Sequence, residues 1–273
     1  MSYADYELIN ISSVDDIYSI IDSIKQKADS WCTNFCINKV KLMQLAGRKQ
    51  LSMISSKNSC LIFWKRSRDY QVYYFSIDLD DLKMLLQITQ KNIKNSLVIN
   101  LLNNNNMDEY LLNCGFKKYC TLHRMVKFNR EIIPLPSIEN YQLMQSDAEY
   151  IYKIMAENLD IVSDQLPDID EIKEAISVGE IIGVRSDITG KVASLIWFSV
   201  IGKTLELKYW LTAQSERGNK YGREIYSVFD KYSKGFKRIF LFCHENVWAA
   251  KFYERNNFKV DKVCDDVYVC KYE

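Results

Sequence analysis

The period of the apolar residues changes in the same order twice along this chain, and that repetition constrains the fold more than any single motif. In the first half Val14, Ile17, Ile20, Ile21, Ile24, Ala28 and Trp31 recur at helical spacing, which predicts an amphipathic helix from Val14 to Trp31. A short strand from Tyr6 to Ile11 precedes it, and a second helix follows at about Cys36 to Lys49. Three strand-like runs come next: Leu51 to Ser55, Cys60 to Lys65 and Tyr70 to Ile77. Turn-forming residues separate them, as in a meander of hairpins. A helix from about Asp78 to Gln90, a strand Leu97 to Leu101, a helix Met107 to Cys114 and strand material from Phe116 to Phe128 complete the half.

The second half runs through the same list. A strand at Tyr141 to Met144 leads to helices at about Asp147 to Leu159 and Ile169 to Val178. Strands follow at Glu180 to Arg185, Val192 to Ile201 and Thr204 to Thr212, with Thr189-Gly190 and Gly202-Lys203 at the turns. Then come a helix from Tyr221 to Tyr232, a strand Arg238 to Cys243, a helix Val247 to Arg255, and strands Phe258 to Val263 and Val267 to Tyr272. Such an order fits one α/β (α+β) fold used twice, each copy a mixed, largely antiparallel sheet flanked by helices. Two of the three prolines stand at Pro134 and Pro136, where they hold their neighbours extended. The expected organisation is therefore a first domain at 1–130, a linker at 131–139 and a second domain at 140–273.

Composition removes several function classes. Thirty-six basic and 35 acidic residues leave a net charge of +1, which gives no electrostatic footprint for nucleic acid or an anionic membrane. No apolar run reaches the length of a membrane span, and Asp5, Glu7, Asp15 and Asp16 stand where a signal peptide would be apolar. A cytoplasmic location is expected. The eight cysteines form no CxxC pair and only two histidines are present, so reduced thiols are expected and no metal site.

The chemistry concentrates between Leu205 and Phe258. A strand ending at Leu211-Thr212 runs through Ala213-Gln214-Ser215-Glu216 into Arg217-Gly218-Asn219-Lys220-Tyr221-Gly222-Arg223 and then a helix. A basic, glycine-containing loop at a helix start can hold phosphate, because the first helical N–H groups are unpaired and the dipole favours an anion. Taken alone, a loop of this kind is more often a solvated turn. One strand later stands Asn246-Val247-Trp248-Ala249-Ala250-Lys251-Phe252-Tyr253-Glu254-Arg255-Asn256-Asn257-Phe258. Together the two segments resemble the GNAT acyltransferase superfamily, which has an Arg/Gln-x-x-Gly-x-Gly/Ala loop after its fourth strand and an Asn-x-x-Ala-x-x-hydrophobic-Tyr-Glu-(Lys/Arg)-x-Gly-Phe segment after its fifth. Arg217 and Gly222 match the ends of the first pattern. Asn246, Ala249, Phe252, Tyr253, Glu254, Arg255 and Phe258 match the second. Lys220 replaces the middle glycine of the loop, and Asn257 replaces the glycine before Phe258.

The resemblance implies acetyl-CoA as co-substrate, with no metal. Leu211 and Thr212 would offer backbone groups to the pantetheine arm, and the loop from Arg217 through Gly218, Asn219, Lys220 and Tyr221 to Gly222, with Arg223 beyond, would cradle the pyrophosphate. Asn246, Ala249 and Phe252 would hold the cofactor from the other side. Tyr253 would protonate the departing thiolate. The general base stays open among Glu206, His244 and Glu245. The acceptor would be an amine of a small molecule or peptide, and two fused copies would replace a dimer, so a monomer is expected. Two alternatives remain: a non-catalytic binding protein of this fold, and a tandem transferase using another acyl donor such as aminoacyl-tRNA, which the neutral charge disfavours. In the first half the matching loop position carries Asp78, Asp80 and Asp81 and no glycine, and the tyrosine position holds Leu111 or a neighbour. That half is expected to be a degenerate copy that binds no acyl-CoA.

Overall fold

The computed structural model describes residues 8–103, 106–244 and 248–271. The chain divides into two compact units, Met1–Thr121 with Asp265–Glu273 and Leu122–Cys264.

Unit 1 begins with β1 (Ile9–Asn10) and α1 (Val14–Lys25). Ser13 caps α1 by accepting from the Asp15 N–H, and Asp15 and Asp16 in its first turn favour the dipole. Val14, Ile17, Ile21 and Ile24 form its buried stripe. The helix ends at Lys25, short of the Trp31 that the periodicity suggests. Trp31 instead stacks on Phe75 at 6.0 Å, and the next two residues form β2 (Cys32–Thr33). Tertiary pairing has overridden local propensity there. After α2 (Lys39–Gly47) come β3 (Leu51–Ser55), β4 (Ser59–Lys65), β5 (Asp69–Ser76), α3 (Leu79–Asn92), β6 (Ser96–Leu102), α4 (Asp108–Asn113) and the start of β7 (Lys117–Phe128). The strands run in the order β1-β3-β4-β5-β6, with the last strand of the chain beside β6. The final strand, β12 (Lys259–Cys270), belongs to this unit from Asp265 onward, where Asp265–Cys270 pair with Leu102–Leu97. Its Tyr268 is fully buried in the core under α3 and α4.

Unit 2 takes one strand from residues 122–128 of β7, which pair with β11 (Arg238–His244). Residues 131–138 form neither helix nor strand. They lie inside this unit, where the Ile133 N–H bonds the Lys234 carbonyl. Tyr141 closes a short 3-10 turn, and Gln142 bridges Ile182. Then follow α5 (Ala148–Asn158), α6 (Ile169–Ser177), β8 (Ile181–Arg185), β9 (Val192–Ile201), β10 (Thr204–Thr212), α7 (Tyr221–Ser233), β11, α8 (Trp248–Arg255) and the first half of β12. The sheet order is β7-β11-β10-β9-β8. Residues 192–198 of β9 are buried on both faces, which explains why that strand reads as one apolar run. One face packs on α5 and α6 through Ile151, Ile154, Ile172 and Leu195. The other packs on α7 and α8 through Ile225, Phe229, Tyr253 and Leu205.

The feature that positions the site is a fork. β10 and β11 are parallel neighbours, yet they pair only over Thr204–Glu206 and Arg238–Phe240. Beyond that rung β10 continues to Thr212 and β11 to His244 as separate arms. A bulge between Leu207 and Tyr209 shifts the register of β10 against β9, and bulges bend and re-aim the strand that carries them. Unit 1 has the same fork: β5 and β6 pair only over Asp69–Gln71 and Ser96–Val98.

Among the described residues no helix is long and apolar enough to cross a membrane.

Candidate active site

In unit 2 the arms of the fork carry free backbone groups. The Ala213 N–H donates to Ala193, and the Ser194 hydroxyl donates to the Leu211 carbonyl at 2.7 Å. Both groups therefore face β9. Backbone direction alternates along a strand, so Trp210 and Thr212 turn theirs toward the open edge. Thr212, with Trp210, is placed to pair with an extended ligand arm. Leu211, expected from the sequence to do so, is not, because its carbonyl is already engaged on the closed side.

The loop after β10 ends in a helix start with unpaired donors. Arg223 and Glu224 donate to the Lys220 carbonyl, whereas the N–H groups of Gly218, Lys220, Tyr221 and Gly222 bond no backbone carbonyl among the described residues. Such a set of amides, at the positive end of α7, fits a pyrophosphate. Gly218 has φ +91° and Lys220 φ +69°. Lysine thus occupies a left-handed position that glycine takes without strain. Gly222 is required by close approach: a Cβ there would lie 2.8 Å from Thr212 Oγ1, which Ser194 Oγ holds at 2.9 Å. The Arg217 guanidinium bonds Asn158 Oδ1 at the end of α5, Asn219 bonds the buried Glu216 carboxylate at 3.3 Å, and Arg223 is exposed. The Tyr221 hydroxyl lies 3.1 Å from the Asp187 N–H, so it anchors the β8–β9 turn rather than a ligand.

Tyr253 sits on α8, 7% exposed. Its ring meets Trp210 at 6.1 Å and Phe258 at 5.6 Å. Burial, with Cys243 and Tyr226 alongside, pushes its hydroxyl pKa up, so the phenol keeps its proton at neutral pH. Burial and then Asp164 push the neighbouring Cys243 thiol up to about 11. The helix that carries Tyr253 ends in a left-handed residue: Asn257 takes φ +67° and the Phe258 N–H reaches back to the Tyr253 carbonyl at 3.0 Å. Ala249 and Phe252 pack against the core beneath, Phe252 4.7 Å from the Trp210 ring. Asn246 and Glu245 lie outside the described residues.

Two base candidates occupy different places. Glu206 stands on the last paired rung, opposite Phe240. Burial raises its pKa, Lys208 opposes, and Glu180 adds to the rise. His244 ends the other arm, with Ser163 Oγ 3.3 Å from its Nε2. The sequence reading gave no role to Tyr209 and Trp210, the residues after the bulge. Tyr209 lies tilted against Trp197 and bonds the Asp164 carbonyl at 2.7 Å, and Trp210 bonds the Gly222 carbonyl at 3.1 Å. The run of aromatics after Glu206 was the available signal, but a bulge is invisible to strict alternation.

Unit 1 provides an internal comparison. Its last parallel rung holds Gln71 where unit 2 has Glu206. Ser59 and Ser76 face each other as Ser194 and Thr212 do, 2.8 Å apart. The glycine loop is missing: Asp78 caps α3 directly, and Asp81 accepts from Ser56 Oγ and the Asn58 N–H. Its fork is filled from within. β2 pairs with Phe75 and Ser76 of β5, and Asn34 bonds the Val72 carbonyl, the Asn100 carbonyl and the Tyr74 N–H at 3.0, 3.2 and 2.7 Å.

No family model matches the chain, and no curated protein matches it. Solved structures match along its whole length. A tandem GNAT protein from the clavulanic acid biosynthesis pathway aligns over 98% of this chain and 99% of its own, with TM-score 0.58 at 9% identity. A GCN5-related N-acetyltransferase from Sphaerobacter thermophilus aligns over 98% and 96%, with TM-score 0.56 at 10% identity. A conserved protein of Enterococcus faecalis V583, named a probable N-acyltransferase, aligns over 99% and 73%, with TM-score 0.61 at 8% identity. At these identities the likeness is one of fold: the chain carries two tandem GNAT-like folds.

Proposed function

We propose that unit 2 is an N-acyltransferase domain that moves an acetyl group from acetyl-CoA to an amine of a small molecule or peptide. The observation that carries this reading is the coincidence, in one unit, of a forked sheet edge, a helix start with four unpaired amides and a buried, protonated Tyr253. The Trp210 and Thr212 backbone would pair with the pantetheine arm as an added strand does. The amides of Gly218, Lys220, Tyr221 and Gly222 would hold the pyrophosphate, with Arg217 and Arg223 supplying charge. The acceptor nitrogen then attacks the thioester carbonyl and gives its proton to Glu206 or His244. The C–S bond breaks, and the thiolate takes the Tyr253 proton. Orientation in the fork supplies much of the rate, and each proton transfer contributes about 10²-fold or more.

In this reading unit 1 makes no acyl-CoA contact, since β2 and Asn34 occupy the place of a ligand arm and Asp78 and Asp81 the place of phosphate. A monomeric, cytoplasmic enzyme is the simplest form of the proposal. One observation favours a second reading: left-handed Lys220 in the phosphate loop suits a copy that binds acyl-CoA and has lost turnover.

Tyr253→Phe separates the two. Thiol release from acetyl-CoA is followed across a panel of amines, with cofactor binding measured in parallel. The enzyme reading expects turnover to fall about 100-fold with binding kept. Equal rates for the two proteins, or no rate for the wild type with any amine, would remove it.

A further inference from the structure

The loop between α5 and α6 spans the two arms of the fork in unit 2. Asp160 opens it: its Oδ1 accepts from the N–H groups of Val162 and Ser163 at 3.1 and 2.9 Å and from Ser163 Oγ at 3.0 Å. Asp164 closes it, accepting from the Asp160 N–H at 2.7 Å. The Tyr209 hydroxyl on β10 holds the loop at the Asp164 and Gln165 carbonyls. On the other arm Ser163 Oγ lies 3.3 Å from His244 Nε2.

A serine hydroxyl has one proton to give. An ionised carboxylate can only accept, so that proton points to Asp160. Toward His244 the hydroxyl then has only a lone pair, and Nε2 must carry the ring's proton. Nδ1 keeps its lone pair. Ser163 is 3% exposed, so its hydroxyl has little access to bulk water. Two carboxylates of the loop act on the ring, Asp160 through Ser163 and Asp164 by its charge. Leu122 lies opposite His244 on β7.

We propose that Ser163 is a positioning residue: held by Asp160, it fixes His244 as the Nε2–H tautomer and thereby makes Nδ1 the acceptor of the incoming amine's proton. The tautomer follows from the hydrogen bonds alone, whereas the base role rests on the acyltransferase reading. It also decides between His244 and Glu206.

Nitrogen-15 NMR of the full chain reads the tautomer directly. Only two histidines are present, so His244→Gln identifies the signals. Neutral His244 is expected to be protonated at Nε2 in the wild type, mixed in Ser163→Ala and restored in Ser163→Thr. Ser163→Ala is expected to lower kcat about tenfold or more, with KM for acetyl-CoA unchanged. A proton on Nδ1, or a tautomer indifferent to Ser163→Ala, overturns the assignment. The stated tautomer with kcat unmoved by Ser163→Ala overturns the base role. A wild type that turns over no amine overturns the base role together with the acyltransferase reading, and the NMR result stands apart from both.

Discussion

Replacing Lys220 with glycine should stabilise this protein, against the usual effect of placing glycine at a helix. Lys220 has φ +69° and ψ −1° at the start of α7, and a left-handed conformation costs an L-residue roughly 1–2 kcal/mol. Glycine removes that strain but gives back about 0.5–1 kcal/mol through the freer unfolded chain. Removing a positive charge from a helix N-terminus adds about 0.3 kcal/mol or more at low ionic strength. The lysine side chain is exposed, so little packing is lost. The sum is a gain of roughly 0.8–1.3 kcal/mol. Urea unfolding of the wild type, Lys220→Gly and Lys220→Ala measures it. Alanine keeps the strain and loses the charge, so it should gain only the smaller charge contribution. A glycine variant no more stable than the wild type, or an alanine variant equal to the glycine one, would refute the reasoning. If the amides rather than the ammonium hold phosphate, Lys220→Gly also keeps acetyl-CoA affinity.

Three further outcomes follow from the packing and the charges. Gly222→Ala places a Cβ 2.8 Å from Thr212 Oγ1; overpacking of about 1–3 kcal/mol exceeds the helix-propensity gain of about 1, so its urea midpoint should fall. Deleting residues 265–273 removes the strand paired to β6, the buried Tyr268 and the Asp266 partner of Lys118. Unit 1 should then lose protease resistance within its first 121 residues, and a digestion pattern like the wild type's would contradict this. Asp261 is pulled in two directions: burial acts to raise its pKa, but hydrogen bonds from Arg124 and the Val263 N–H hold it below the ordinary 3.8. A lowered carboxyl stabilises the fold above its unfolded pKa and loses that contribution as pH falls through the folded one. The stability difference between wild type and Arg124→Ala should therefore be full near neutrality and shrink below about pH 4.

Much of this was legible in the chain because periodicity and turn chemistry agreed. The strand Thr204–Thr212 and the helix start at Tyr221 stand where Gly202-Lys203 and the glycine loop put them. What the sequence hid is long-range. Nothing local distinguishes residues 265–270 as a strand for unit 1, or 122–128 as one for unit 2, because a strand's partner is set by contacts distant in sequence. The helix from Val14 is shorter than its period for the same reason: Ala28 and Trp31 continue the spacing, but Trp31 packs on Phe75 and the residues after it fill the unit 1 fork. The bulge at Lys208 re-aimed Tyr209 and Trp210 and left the backbone of Leu211 facing β9, which strict alternation could not show.

Calorimetric titration of acetyl-CoA into the whole chain, with Gly222→Trp and Asn34→Ala alongside, tests for the acyl-CoA site of unit 2. One saturable site per chain is expected, abolished by Gly222→Trp and unaffected by Asn34→Ala. Two sites, a site that survives Gly222→Trp, or no binding at millimolar acetyl-CoA would contradict it.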